Sequence, residues 1–81
     1  MIVQLKLFAA AKDHVGSDVV AIEIPAGGTI ADLRQAIVAS YPELEQVLRH
    51  AMFAINADYA TDTSTIESTD EVACIPPVSG G

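Results

Sequence analysis

An 81-residue chain with 51% hydrophobic residues is one small domain with enough apolar surface for a single core. Its one cysteine, Cys74, excludes an internal disulfide and a cysteine-rich structural zinc site. Eleven acids against four bases give a net charge of −7, and Lys6, Lys12, Arg34 and Arg49 are scattered, so no basic stripe serves a nucleic acid or an anionic membrane.

The acidic excess steers the domain toward a basic protein partner. Apolar runs such as "VVAI" fall far short of the roughly 18 residues that span a bilayer. The opening "MIVQLKLF" reads as a strand and not as a signal peptide, and the expected setting is the cytoplasm.

In chain order, Val3, Leu5 and Leu7 alternate with Gln4 and Lys6, the period of a strand with one buried face. A short polar or helical turn, "AAAKDHVGSD", leads to a second strand in which Val20, Ile22 and Ile24 alternate with Ala21 and Glu23. Pro25 and Gly27-Gly28 end it. "TIADLRQAIVASYPEL" is the main helix, with Ile30, Leu33, Ala36, Ile37 and Tyr41 on one stripe and Thr29 at its cap. Asp32 stands where a reciprocal capping box prefers Glu or Gln, so an imperfect box is expected. Pro42 stops the helix near Tyr41, and "PELEQVLRHA" adds a short turn or helix. "MFAINADYATD" reads as two short strands around a turn at Asn56-Ala57-Asp58. Ile66 is a plug under a polar loop. "EVACIPP" is the last strand, with Val72 and Cys74 on one face and Ala73 and Ile75 on the other. The expected fold class is α+β: a mixed sheet of about five strands, at residues 1–75, covered by one main helix.

Catalytic signals are weak. His14 and His50 are distant in sequence and lack metal-ligand spacing, so both read as surface residues. The acids Asp58, Asp62, Glu67, Asp70 and Glu71 lack the glycine and spacing of a calcium loop. Cys74 reads as a core thiol, and "AGGTI" is too short for a phosphate cradle.

The ending "CIPPVSGG" is the unusual feature. Pro76 and Pro77 take the chain out of the sheet. Residues 76–81 then read as an extended, flexible tail whose Val78 can anchor in a groove and whose Ser79, Gly80 and Gly81 fit a narrow channel. Phe8, Tyr59 and Ile75 are expected beside this tail as an exposed partner-facing patch.

"IPPVSGG", with "LFAAAKDHVGSD", "ADLRQAIVASYPEL", "FAIN" and "TDEVACIPP", resembles the small subunit of molybdopterin synthase. That family is a ubiquitin-like β-grasp sulfur carrier, and the likeness runs from Ile2 to Gly81. Ser68-Thr69 depart from the family's usual Asp-Gly, and Cys74-Ile75 replace common aromatics. The resemblance implies that an ATP-dependent, E1-like activating enzyme adenylates Gly81 and that a sulfurtransferase supplies sulfur. The resulting Gly81 thiocarboxylate then donates sulfur to cyclic pyranopterin monophosphate in the large subunit of molybdopterin synthase, with Gly80 giving clearance. By this resemblance the chain is a non-catalytic sulfur-donor subunit that binds no cofactor, the ATP and pterin sites lying on its partners. The alternatives are a carrier for thiazole or cysteine synthesis, a ubiquitin-like protein modifier, or a passive interaction module.

Overall fold

A computed structural model describes residues 1–77. Its elements are β1 (Ile2–Leu7), α1 (Ala9–Val15), β2 (Val19–Glu23), α2 (Ile30–Ser40), α3 (Glu45–Arg49), β3 (Met52–Ile55), β4 (Asp58–Ala60) and β5 (Val72–Ile75). A 3₁₀ turn at Pro42–Leu44 links α2 to α3. The five strands form one mixed sheet in the order β2-β1-β5-β3-β4. Only the β1–β5 pair is parallel; the other three are antiparallel.

Alternation decides which face each strand buries. Val3, Leu5 and Leu7 of β1, Ile22 of β2, Phe53 of β3 and Val72 and Cys74 of β5 point to the same side. There they pack with Ile30, Leu33 and Ile37 of α2, Leu44, Leu48 of α3, and Ile66. Each such side chain removed from water stabilises the fold by roughly 1.5–3 kcal/mol before the entropy of ordering is counted.

Three features go beyond the sequence expectation. The segment between β1 and β2 is a seven-residue helix, α1, which tucks Ala11 into the core. Gly16 ends it in the left-handed conformation (φ 81°), its N–H donating to the Lys12 carbonyl at 2.8 Å. The helical layer thus has three helices beside the sheet, α2 being the longest. At the start of α2 the capping box closes despite the shorter acid. The Thr29 N–H donates to Asp32 Oδ2 at 3.0 Å, and the Asp32 N–H to Thr29 Oγ1 at 3.4 Å. Gly28 before it is buried, and a Cβ there would meet the Pro25 carbonyl oxygen at 2.9 Å.

Arg34 ties the layers together. Its Nη1 donates to the Leu48 carbonyl at 2.5 Å, its Nη2 to the Ala51 carbonyl at 2.9 Å and its Nε to Asp62 Oδ1 at 2.9 Å. The guanidinium carbon also lies 4.7 Å from the centre of the Phe53 ring. The carbonyls at the end of α3 have few partners within the helix, so a planar fork of donors satisfies them and fixes the joint between α3 and β3.

The hairpin between β3 and β4 turns on Asn56 and Ala57, both at positive φ (51° and 71°), a type I′ arrangement that favours glycine at the second position. An alanine there carries a left-handed penalty of about 1–2 kcal/mol, part of which glycine would return as unfolded-state entropy. Ala57→Gly should therefore raise stability by about 0.5–1 kcal/mol, with Tm rising by roughly 3–6 °C in a thermal melt. An unchanged or lower Tm would show that the turn is unstrained.

Cys74 is fully buried, and burial pushes its thiol up from 9.0 to about 11, with the Arg34 charge opposing. In the unfolded chain the thiol ionises near 9.0, whereas the folded chain holds it protonated to about 11. Its contribution is complete below pH 9 and is lost as pH climbs toward 11, a change of at most about 2–3 kcal/mol. Cys74→Val should flatten denaturant stability over that window relative to the natural chain. Identical slopes in the two proteins would assign the alkaline loss to other groups.

Candidate functional site

The face of the sheet turned away from the helices is built by the registers. Lys6 of β1 pairs with Val19 of β2 on one side and Ala73 of β5 on the other. Ala73 pairs with Ala54 of β3, and Ala54 with Tyr59 of β4. One row therefore crosses all five strands: Val19, Lys6, Ala73, Ala54, Tyr59. A second row lies beside it, where Ile75 pairs with Met52. Phe8 joins that row because Leu7 pairs with Cys74 and the Phe8 N–H donates to the Cys74 carbonyl at 3.3 Å.

Large apolar side chains stand open on this face. Tyr59 is 70% exposed, Met52 51% and Phe8 42%, while Ile75 is half-buried. Phe8, Ile75 and Tyr59 thus share one face, the first two adjacent and Tyr59 two strands away from Ile75. Sequence reading did not single out Met52. The run "MFAI" is apolar at every position, so its period does not reveal which side faces solvent.

The last strand brings the tail to this patch. Pro76 has no N–H and ends the ladder after Ile75. Of the expected contact residues, Pro76 is buried, because the inward alternation of Val72 and Cys74 runs on through it; Pro77 is exposed. Pro76 thereby anchors the root of the tail and presents little surface of its own. Val78, Ser79, Gly80 and Gly81 lie outside the described residues.

The other candidates are dispersed. His14 is exposed on α1, and His50 is exposed at the end of α3. No group of three or more His, Cys, Asp or Glu able to hold a metal occurs among the described residues. The acidic loop is tied up structurally: Asp70 accepts from Asn56 Nδ2 at 2.9 Å and from the Glu67 N–H at 2.7 Å, and Asp62 binds Arg34. A groove of about 430 Å³ between α2 and α3 is lined by Arg34, Gln35, Val38, Glu45, Leu48 and Arg49, in the helical layer. It holds no nucleophile paired with a base. No helix among the described residues is long and apolar enough to cross a membrane. What these residues offer is an exposed apolar face with the root of the tail, Pro76, beside it.

Comparison with known proteins agrees with this architecture. The chain is 34% identical over 79 residues to the molybdopterin synthase sulfur carrier subunit of Arabidopsis thaliana, covering 98% of this chain and 82% of that one. It is 34% identical over 83 residues to the corresponding subunit of Chlamydomonas reinhardtii, covering all of both. The crystal structure of SAMP1 from Haloferax volcanii superposes with a TM-score of 0.86 at 30% identity, again covering both chains completely. Its ubiquitin-like β-grasp fold is the fold of this chain. The ThiS family model matches residues 5–81, and with relatives this similar over nearly their whole length the chain belongs to the ThiS family.

Proposed function

We propose that this chain is the sulfur carrier subunit of a molybdopterin synthase. The observation that carries the reading is full-length similarity to two such subunits, joined to a sheet whose apolar outer face adjoins the root of a Gly-Gly tail. The large synthase subunit covers the outer face around Phe8, Ile75 and Tyr59. Pro77 and Val78 line the entrance to its channel, with Ser79 and Gly80 inside and Gly81 at the reacting centre. An E1-like activating enzyme engages the same tail beforehand. Its position in the cytoplasm follows from those partners.

The chemistry follows from the terminal carboxylate. Ionised and resonance-stabilised, it is a poor electrophile. One of its oxygens attacks the α-phosphorus of ATP, pyrophosphate leaves, and the carbonyl carbon of Gly81 becomes part of a mixed anhydride. The outer sulfur of a sulfurtransferase persulfide attacks that carbon and AMP departs, leaving an acyl disulfide. A second thiol then attacks the donor's own sulfur, forming a disulfide and releasing the thiocarboxylate. The thiocarboxylate sulfur then attacks a carbon of cyclic pyranopterin monophosphate and displaces an oxygen substituent from it. Water hydrolyses the acyl–sulfur bond, leaving the sulfur on the pterin and returning the Gly81 carboxylate. Two such deliveries supply the two sulfurs of the dithiolene. In each step this chain's task is to present one carbonyl carbon, and two glycines admit that carbon where a side chain would jam.

A second reading is favoured by the close structural likeness to SAMP1, which is itself called a small archaeal modifier protein. In that case the activated Gly81 forms an isopeptide bond with a lysine of another protein. Intact-mass analysis of the carrier after incubation with activating enzyme, ATP and a sulfur source separates the two, since one gives a thiocarboxylate and the other a branched conjugate.

One deletion tests the main reading. Deleting Gly81 shortens the reach by about 3.3–3.6 Å. A misplacement of one ångström already costs on the order of 100-fold in rate. The deletion should fold and dock normally yet give at least about 100-fold less product in a reconstituted conversion of the pterin precursor. Near-normal turnover would show that the tail carries no sulfur.

The docking face is tested separately. Phe8→Asp should weaken binding to the large subunit by about 30-fold or more while lowering Tm far less than a core substitution would, because the side chain is 42% exposed and lies outside the buried core. A drop in Tm like that of a core mutation would mean that Phe8 supports the fold and not the interface.

A further inference from the structure

We propose that Lys6 determines partner specificity, its ammonium seated against a carboxylate of the large subunit on the outer face of the sheet. The inference rests on the reading that the outer sheet face docks that subunit. Lys6 lies in the row that crosses the whole sheet, with Val19 on one side and Ala73, Ala54 and Tyr59 on the other. It is the one charged member of that row. Its side chain is exposed, and β1 holds its backbone between two paired strands.

In the free chain this ammonium is answered by water. The single ion pair among the described residues is Arg34–Asp62, and Lys6 takes part in no side-chain hydrogen bond there. Lys6 borders a hollow of about 210 Å³ shared with Gln4, Val19 and Glu71. Glu71 is thus a carboxylate bordering the same hollow, yet it forms no ion pair with Lys6.

A partner laid across this row strips water from the ammonium. A desolvated charge without a counter-charge opposes binding strongly, so the matching surface must either supply a carboxylate or leave the ammonium a path to the rim. The position favours the first. Lys6 stands one strand in from the β2 edge, with an apolar residue on each side of it along the row. Its long stem can cover apolar surface, and the hollow it borders is lined by Gln4 as well. The chain as a whole is strongly acidic and draws basic partners. A required carboxylate inside such a basic surface fixes register and rejects basic surfaces that lack it.

The experiment is calorimetric titration of the natural carrier, Lys6→Met, Glu71→Gln and Phe8→Asp against the large synthase subunit of the same organism, with melts of each carrier. Lys6→Met should bind about 30-fold or more weakly, because it leaves the partner's carboxylate buried and unpaired. Glu71→Gln should bind as well as the natural chain or better. Equal or tighter binding by Lys6→Met, with Phe8→Asp impaired, would overturn the carboxylate contact and leave the docking face standing. Equal losses in Lys6→Met and Glu71→Gln would overturn it too, by showing that the two residues pair with each other on docking. Binding unaffected by Phe8→Asp would instead remove the docking face and the Lys6 contact with it.

Discussion

The structure depends on the insertion of β5, the last strand in sequence, between β1 and β3. Val72, Ala73 and Cys74 pair in parallel with Leu5, Lys6 and Leu7, while the other edge of β5 pairs antiparallel with Met52–Ile55. A strand held on both edges cannot shift without breaking two ladders, and a shift of one residue would exchange Cys74 and Ile75 between core and solvent. The root of the tail is consequently as fixed as the middle of the sheet. Proline is poorly tolerated inside such a ladder but well placed to end it, and Pro76 does so while staying buried. The exposed apolar face and the tail root at Pro76 therefore share one rigid frame, so on the proposed reading a partner that grips the face also fixes where the tail begins.

That frame needs the helical layer to hold β3 in place, and Arg34 supplies the connection. One side chain from α2 reaches the carbonyls of Leu48 and Ala51, the Asp62 carboxylate and the Phe53 ring. Asp62 serves twice, since its own carbonyl accepts the Ala31 N–H at 3.0 Å. Together with the Ser64 carbonyl, which accepts the Ile30 N–H at 3.0 Å, it satisfies donors in the first turn of α2 that the helix leaves free. The loop between β4 and β5 is thus docked by backbone bonds, with Ile66 sealed beneath it, and delivers β5 to its slot. The Arg34–Asp62 pair itself is partly exposed, and its Coulombic share is small beside the bonds to backbone carbonyls.

How much of this was legible follows from the range of each interaction. β1, β2 and β5 show through alternation, α2 through its stripe and its threonine cap, and the end of α2 through Pro42. These are signals of a few residues, carried by local geometry. α1 is less legible: it is short, Phe8 gives no side-chain cap, and Ala9 enters it at φ 52°, so tertiary packing of Ala11 decides its form. The capping box was discounted because aspartate is shorter than glutamate, yet the loop geometry brings Asp32 within reach of Thr29. Arg34 looked like one of four scattered bases, since its partners lie 14, 17 and 28 residues away. The outer face was legible at Phe8 and Ile75, where strands alternate, and hidden at Met52, where both sides are apolar. The tail's composition signalled an object that enters something narrow. The sulfur chemistry proposed for it comes from resemblance, because no spacing of residues encodes a reaction performed on a main-chain carbonyl.

An apolar patch that waits for partners also invites its own copies, and the charge distribution bears on that conflict. Two domains of −7 repel at a distance, although salt confines this to about the Debye length, near 8–10 Å at ordinary ionic strength. At contact a more local device is needed. A twofold pairing of two outer faces is isologous, setting each patch against itself. An axis passing beside Lys6 would bring two Lys6 ammonium groups together while stripping both of water. Such a pairing sets like charge against like, whereas a partner that carries a carboxylate there would answer it. If the proposed contact holds, a lysine in this row disfavours that self-pairing without closing the face to the partner.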